Sequence, residues 1–175
     1  PALMGPEPFI VVANLPYYIT SAILRLLLET PRRPARMVLT VQQEVAERLT
    51  AAPDDMSLLA VSVQFYGQPR IVSRINPAVF WPRPDVDSAV IRIDIYDSPP
   101  VQIPDESTFF RVVRAGFSQK RKQLRNSLGA GLGLGGDAAA DLLARAGIDA
   151  RRRAETLSLA EWAALARCFA GDDAS

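Results

Sequence analysis

The 175-residue sequence contains no histidine and one cysteine. Without histidine there is no Ser-His-Asp triad, no Cys-His dyad, no imidazole metal ligand and no imidazole base. A single cysteine, Cys168, excludes an internal disulfide and a thiolate zinc site. It lies in an apolar helical stretch, where a free thiol packs as a small hydrophobe. No apolar run approaches the ~20 residues of a membrane span. The N-terminal stretch PALMGPEPF has neither the basic nor the apolar region of a secretory signal. Hydrophobic residues make up 49% and charged residues 22%, as in soluble globular proteins, so a cytoplasmic protein is expected. Acidic residues are missing between Arg111 and Arg125, where Arg111, Arg114, Lys120, Arg121, Lys122 and Arg125 stand. Arg151-Arg152-Arg153 follows. In a chain of net charge +1 this concentration makes an electrostatic face suited to polyanions.

The apolar run Phe9–Ala13 (FIVVA) does not alternate, which predicts a strand buried on both faces. Thr20 or Ser21 can cap a helix through about Thr30, with Ile23, Leu24, Leu27 and Leu28 at helical spacing. Met37–Val41 predicts a second strand and Gln43–Ala51 a second helix. Ser57–Tyr66 predicts another helix, with its β-branched residues leaving strand open. Arg70–Ile75 and Ser88–Tyr96 alternate as strands do. Between them, Asn76–Pro84 holds three prolines and predicts an extended, stiff loop. This order describes an α/β sheet. From Asp105 onward every pattern is helical. A linker around Asp97–Pro104 therefore separates an α/β part, residues 1–98, from a small all-α domain, residues 105–175. The glycine-rich stretch Gly129–Gly136 follows a helix, not a strand, so it predicts a flexible interhelical loop and no phosphate cradle. Ser158 and Glu161 form a capping box for a last helix through about Ala170.

The first strand ends in Asn14-Leu15-Pro16-Tyr17. In an open α/β sheet, strand C-termini deliver their residues to the ligand crevice. Asn14 offers an amide acceptor, the Leu15–Pro16 backbone offers carbonyls in a stiff direction, and Tyr17 offers a flat face for a base. Such groups suit the exocyclic amino group of adenine. Two acceptors holding its hydrogens free a lone pair otherwise delocalised into the ring. A sulfonium methyl donor then needs no strong base, and positioning with electrostatic preorganisation suffices. The competing reading is that the tetrapeptide only turns the chain.

Four motifs, in order, carry a family resemblance. Asn14–Thr20 (NLPYYIT) resembles the [ND]-[LIP]-P-[YF] motif of S-adenosylmethionine-dependent amino-methyltransferases. Phe80–Ala89 (FWPRPDVDSA) is similar to the F-x-P-x-P-x-V-x-S-A signature of ribosomal small-subunit RNA adenine N6,N6-dimethyltransferases. Phe117–Leu128 resembles that family's F-x-Q-R-R-K-x-L-R-N-x-L helix. Gly147-Ile148-Asp149, Arg153-Ala154-Glu155 and Leu157-Ser158 resemble its ending. The resemblance implies a partial Rossmann-like methyltransferase sheet followed by a helical RNA-binding domain. It implies transfer of methyl groups from S-adenosylmethionine to two adjacent adenosines near the 3′ end of small-subunit rRNA. Asn14 and the Leu15 carbonyl would then hold the target amino group, with Pro16 between them and Tyr17, and Asn14 would lie beside the donor methyl. Tyr17 and Phe80 would sandwich the flipped adenine. Arg114, Lys120, Arg121, Lys122 and Arg125 would face RNA. As one helix, Phe117, Leu124 and Leu128 would share a stripe with the cations on its adjacent edge. Trp81 stands where the family often has a small polar residue, and either packs against the linker or widens the base platform.

The sequence lacks the family's glycine-rich donor loop and the acidic residues that grip the cofactor's ribose and adenine. The expectation is a C-terminal part of such an enzyme, keeping the base pocket and only a remnant of the donor site. That chain would bind S-adenosylmethionine weakly, would not methylate alone, and would dimerise through the unpaired FIVVA edge. Its partners would be small-subunit rRNA and the assembling subunit. A large-subunit rRNA methylase of the erythromycin-resistance type and a non-catalytic RNA-binding or assembly module are the alternatives. A DNA adenine methyltransferase fits less well, since its motif has a proline where Leu15 stands.

Overall fold

The computed structural model describes residues 7–173. Strand β1 (Ile10–Asn14) leads through a 3₁₀ turn into helix α1 (Thr20–Glu29). Strand β2 (Arg36–Gln42) runs directly into α2 (Gln43–Leu49). Helix α3 (Leu58–Tyr66) is followed at once by β3 (Gly67–Ile75), and β4 (Ser88–Ile95) completes a four-stranded sheet of order β1-β2-β4-β3. β1 lies parallel to β2, and β4 runs antiparallel to both β2 and β3.

Alternation decides which face is buried. Met37, Leu39 and Val41 of β2 and Ala89, Ile91 and Ile93 of β4 are fully enclosed. Each large apolar side chain among them stabilises the fold by roughly 1.5–3 kcal/mol relative to exposure. Asp94 on β4 accepts from Arg36 across the β2–β4 pair at 2.5 Å, and from Arg92. β3 starts earlier than its alternation predicts and contains Pro69, which a sheet tolerates at an edge. A register shift between Ile71 and Ser73 leaves Val72 outside the pairing and exposed.

Two expectations need correction here. β1 is not buried on both faces: Ile10 is 58% and Val12 76% exposed, and among the described residues only β2 pairs with it. Continuous hydrophobicity marks a strand without stating which neighbours cover it. Neither Thr20 nor Ser21 caps α1. Thr20 is the helix's first residue, buried, and its hydroxyl donates to the Pro16 carbonyl. The 3₁₀ turn already supplies the first bonded turn, so no side-chain cap is needed. For α3, the helical reading holds despite Val61 and Val63. The Ser57 hydroxyl accepts from the Ala60 N–H at 3.2 Å at its start.

The chain divides into two compact units. Among the described residues, one comprises 7–50 and 62–99, the other 51–61 and 100–173. The segment 51–61 thus groups with the C-terminal unit, where the sequence placed it with the sheet. Asp54 and Met56 N–H groups donate to the Glu155 carbonyl, a long-range pairing no local pattern reveals.

The second unit is built from α4 (Glu106–Phe117), α5 (Leu124–Leu132), α6 (Gly136–Arg145) and α7 (Leu159–Asp173). Phe109, Val112, Leu124, Leu128, Leu142, Leu143 and Trp162 form its core. Cys168 lies on α7, half-buried. The capping box forms as expected: the Ser158 N–H donates to Glu161 Oε2 at 2.8 Å, and the Glu161 N–H donates to the Ser158 hydroxyl at 3.3 Å.

The glycine-rich stretch is only partly a loop. Gly129 and Gly131 lie inside α5; Gly133, with φ 72°, ends it, and α6 begins at Gly136. A side chain at Gly131 would sit 2.7 Å from the Ala115 Cα. Glycine is therefore required for α4 and α5 to pack backbone against backbone, which outweighs its poor helix propensity.

Candidate functional site

Past Asn14, the Leu15 N–H donates to the Thr40 carbonyl at 3.1 Å, so β1–β2 pairing extends one residue beyond the strand. The Leu15 side chain is buried and anchors the turn. Pro16 has φ −58° and ψ 128°, the extended conformation its ring favours. Its carbonyl accepts from the Ile19 N–H at 3.1 Å and from the Thr20 hydroxyl at 3.3 Å. Among the described residues, no hydrogen bond occupies the Asn14 side chain or the Leu15 carbonyl. These two acceptors remain open at the end of the strand.

The facing wall comes from the proline-rich loop. It is not extended throughout: the Asn76 side chain accepts from the Ala78 N–H at 2.8 Å and starts a 3₁₀ turn over Pro77–Val79. Phe80 then donates its N–H to the Pro77 carbonyl and leaves in an extended conformation. At the loop's far end the buried Ser88 hydroxyl meets the Tyr17 hydroxyl at 2.5 Å. The two chain segments are thereby tied together across 71 residues.

Between them is a pocket of about 330 Å³, lined by Asn14, Leu15, Pro16, Tyr17, Phe80, Trp81, Pro82 and Pro84. All the residues singled out from sequence for base binding lie in this lining. Two further residues bear on the pocket: Ser88, to which no role was assigned from sequence, and Trp81, for which two were left open. Ser88 orients Tyr17, and its only sequence signal was its place in the FWPRPDVDSA motif. Trp81 forms part of the wall while being 98% exposed, so it does not pack against the linker. The same loop also borders a second cleft of about 580 Å³, lined by Glu44, Glu47, Asp85, Asp87 and Arg83, with Glu47 paired to Arg74 at 3.3 Å. That excess of carboxylates repels phosphate.

The fit of these residues to a nucleoside methyl donor is limited to its reactive end. Asn14 is open beside the pocket. The two strand-to-helix connections after β1 and β2 carry no glycine, so neither offers the close backbone approach a donor's remaining groups need.

The basic segment differs from the single helix expected. α4 ends at Phe117 and α5 starts at Leu124, with Lys120, Arg121 and Lys122 in the connection. Residues 118–123 contain no proline or glycine to announce this break. The first N–H groups of α5 are satisfied from elsewhere: Leu124 donates to the Arg152 carbonyl at 2.8 Å and Arg125 to the Ala150 carbonyl at 3.3 Å. Arg114, Lys120, Arg121, Lys122 and Arg125 are all exposed, and among the described residues no carboxylate pairs with them. The second basic run is different. Arg151 is bound to Asp149, Arg152 to Glu161 and Arg153 to Glu155, so much of its charge is locally compensated. Arg151 side-chain and backbone hydrogen bonds hold the Asp149 carboxyl down at about 2.

The family model described as ribosomal RNA adenine dimethylase matches residues 3–170. The chain belongs to the ribosomal RNA adenine dimethylase family. Among curated members, a ribosomal RNA small subunit methyltransferase A of Dehalococcoides mccartyi is 49% identical over 155 residues, covering 89% of this chain and 53% of that protein. The namesake of Moorella thermoacetica is 49% identical over 159 residues, covering 90% and 55%. The chain thus spans about half the length of the curated relatives it matches. The fold agrees with the crystal structure of a dimethyladenosine transferase from Plasmodium falciparum, with TM-score 0.80 at 21% identity, covering 97% of this chain and 70% of that one. The crystal structure of the 23S rRNA methyltransferase ErmE gives 0.71 at 25% identity, covering 95% and 67%. These neighbours establish the Rossmann-like methyltransferase architecture for this family member's sheet.

Proposed function

We propose that these residues are the target-base pocket and RNA-binding part of a small-subunit rRNA adenine N6,N6-dimethyltransferase of the cytoplasm. The observation that carries the reading is the convergence of two open acceptors, Asn14 and the Leu15 carbonyl, with Tyr17 and Phe80 around one pocket. The two acceptors take the two hydrogens of an adenine N6 amino group and turn its lone pair outward. Pro16 keeps the Leu15 carbonyl in direction. Tyr17 and Phe80 stack on the flipped base, and at roughly 1–3 kcal/mol per stacked base this offsets the few kcal/mol of extrusion. S-adenosylmethionine, when bound, supplies an electrophilic methyl group. The amino nitrogen would form the new N–C bond as the donor's sulfur–methyl bond breaks, the donor would leave as a neutral thioether, and the departing proton would pass to solvent. The small-subunit relatives, at 46–49% identity, favour small-subunit rRNA over the large-subunit alternative at 25%.

The test is methyl transfer to undermethylated small-subunit rRNA by the whole protein carrying these residues. Asn14→Ala should lower kcat about a hundredfold or more, as expected when a preorganised acceptor of this kind is removed. Wild-type turnover in that variant would end the reading. The 175 residues alone should bind S-adenosylmethionine weakly by calorimetry. The open β1 edge, with Ile10 and Val12 exposed, also favours pairing with a second copy. A monomer by light scattering at high concentration would refute that part alone.

A further inference from the structure

Trp81 has the largest exposure, 98%, of the large hydrophobic residues described, yet it lines the base pocket. So bare an indole contributes almost no packing to the fold. Its support is nevertheless stiff. Pro82 and Pro84 follow it, Phe80 before it is tied to Pro77, the Gln43 N–H donates to the Asp87 carbonyl at 2.9 Å, and Ser88 is buried and bonded to Tyr17. A rigid stem carrying an unsupported aromatic face at a pocket mouth is a preorganised stacking surface.

We infer that Trp81 stacks on the nucleobase flanking the flipped target base. This rests on the base-pocket reading above. Extruding one base leaves its neighbour in the strand without a stacking partner, and the indole replaces it. Charge limits the strand's path. The second cleft bordered by this loop carries Glu44, Asp85 and Asp87 against Arg83, with Glu47 already paired to Arg74, so phosphates avoid it. The backbone is left to pass on the side that presents Trp81. Every base has a π-face, so the contact adds affinity without selecting sequence, and it accounts for an exposed indole the fold itself does not need.

The chain has two tryptophans, and Trp162 is fully buried, so environment-sensitive emission reports Trp81. A short single-stranded oligoadenylate with a terminal dye is titrated into the chain, following both anisotropy and tryptophan emission. Binding should quench the exposed-tryptophan emission. Trp81→Ala should weaken affinity about tenfold with an unchanged unfolding midpoint, and Trp81→Phe should restore most of it. An oligonucleotide abasic beside the central adenosine should bind wild type as weakly as intact RNA binds Trp81→Ala. An anisotropy rise with unquenched Trp81 and full affinity in Trp81→Ala overturns this inference and leaves the base pocket standing. No anisotropy rise at all overturns the RNA reading and this inference with it.

Discussion

The hydroxyls of Tyr17 and Ser88 lie 2.5 Å apart, Ser88 being wholly buried and Tyr17 half-buried. The bond fixes the ring that lines the pocket to the first residue of β4. The two partners do not lose equally. Tyr17→Phe leaves a buried serine hydroxyl unpaired and should destabilise by about 1–3 kcal/mol. Ser88→Ala leaves the Tyr17 hydroxyl within reach of water and should cost less. The double variant should recover most of the loss. Urea midpoints measure this, and a Tyr17→Phe protein as stable as wild type would contradict it.

Close helix packing predicts a contrast among glycines. A methyl at Gly116 would run into the buried Trp162 ring, and one at Gly131 would lie 2.7 Å from the Ala115 backbone. Either change to alanine should destabilise by about 1–3 kcal/mol. Nothing lies within 4 Å of a Cβ at Gly171 in α7, so Gly171→Ala should stabilise by about 0.4–1 kcal/mol. Thermal unfolding of the three variants separates steric cost from backbone entropy.

The two arginine-rich segments should behave differently toward RNA. Arg121 and Arg125 have no carboxylate partner among the described residues, whereas Arg152 is bound to Glu161 and to the Thr156 carbonyl. Replacing Arg121 or Arg125 by glutamine should reduce the slope of log affinity against log salt by about 0.7 for each single-strand phosphate no longer neutralised. Arg152→Gln should lower stability and leave the slope unchanged. Equal slopes in wild type and Arg121→Gln would remove that residue from the interface.

Acid should weaken the C-terminal unit through its lowered carboxyls. Asp149 is held at about 2 by Arg151. Burial pushes Glu161 up, but hydrogen bonds from Arg152 and Ser158 outweigh it and leave the group below its ordinary value. Both folded values lie below the unfolded ones, near about 4. Their contribution is therefore complete above about pH 5 and is lost as pH falls through the folded values, toward about 2 for Asp149. Asp149→Asn should flatten the fall in urea midpoint between about pH 4 and about pH 2. An identical pH profile would show that the pair does not couple to folding.

Local chemistry determined much of this protein from the sequence alone. Helical spacing identified α1, alternation identified β4, and Ser158 with Glu161 announced the last helix, because these signals act within a few residues. Two of the four motifs also named pocket residues, one from each side of the site. The tertiary structure decided what depends on distant partners. It put β1 at an edge with Ile10 and Val12 exposed, since coverage is set by neighbouring strands. It broke the basic segment at Ser118–Gln123, where carbonyls of Ala150 and Arg152 receive the first N–H groups of α5. It kept Gly129 and Gly131 helical, because α4 approaches too closely for a side chain at Gly131. It tied Tyr17 to Ser88 and left Trp81 bare, since burial and long-range hydrogen bonds belong to the packed chain and not to any short window of it.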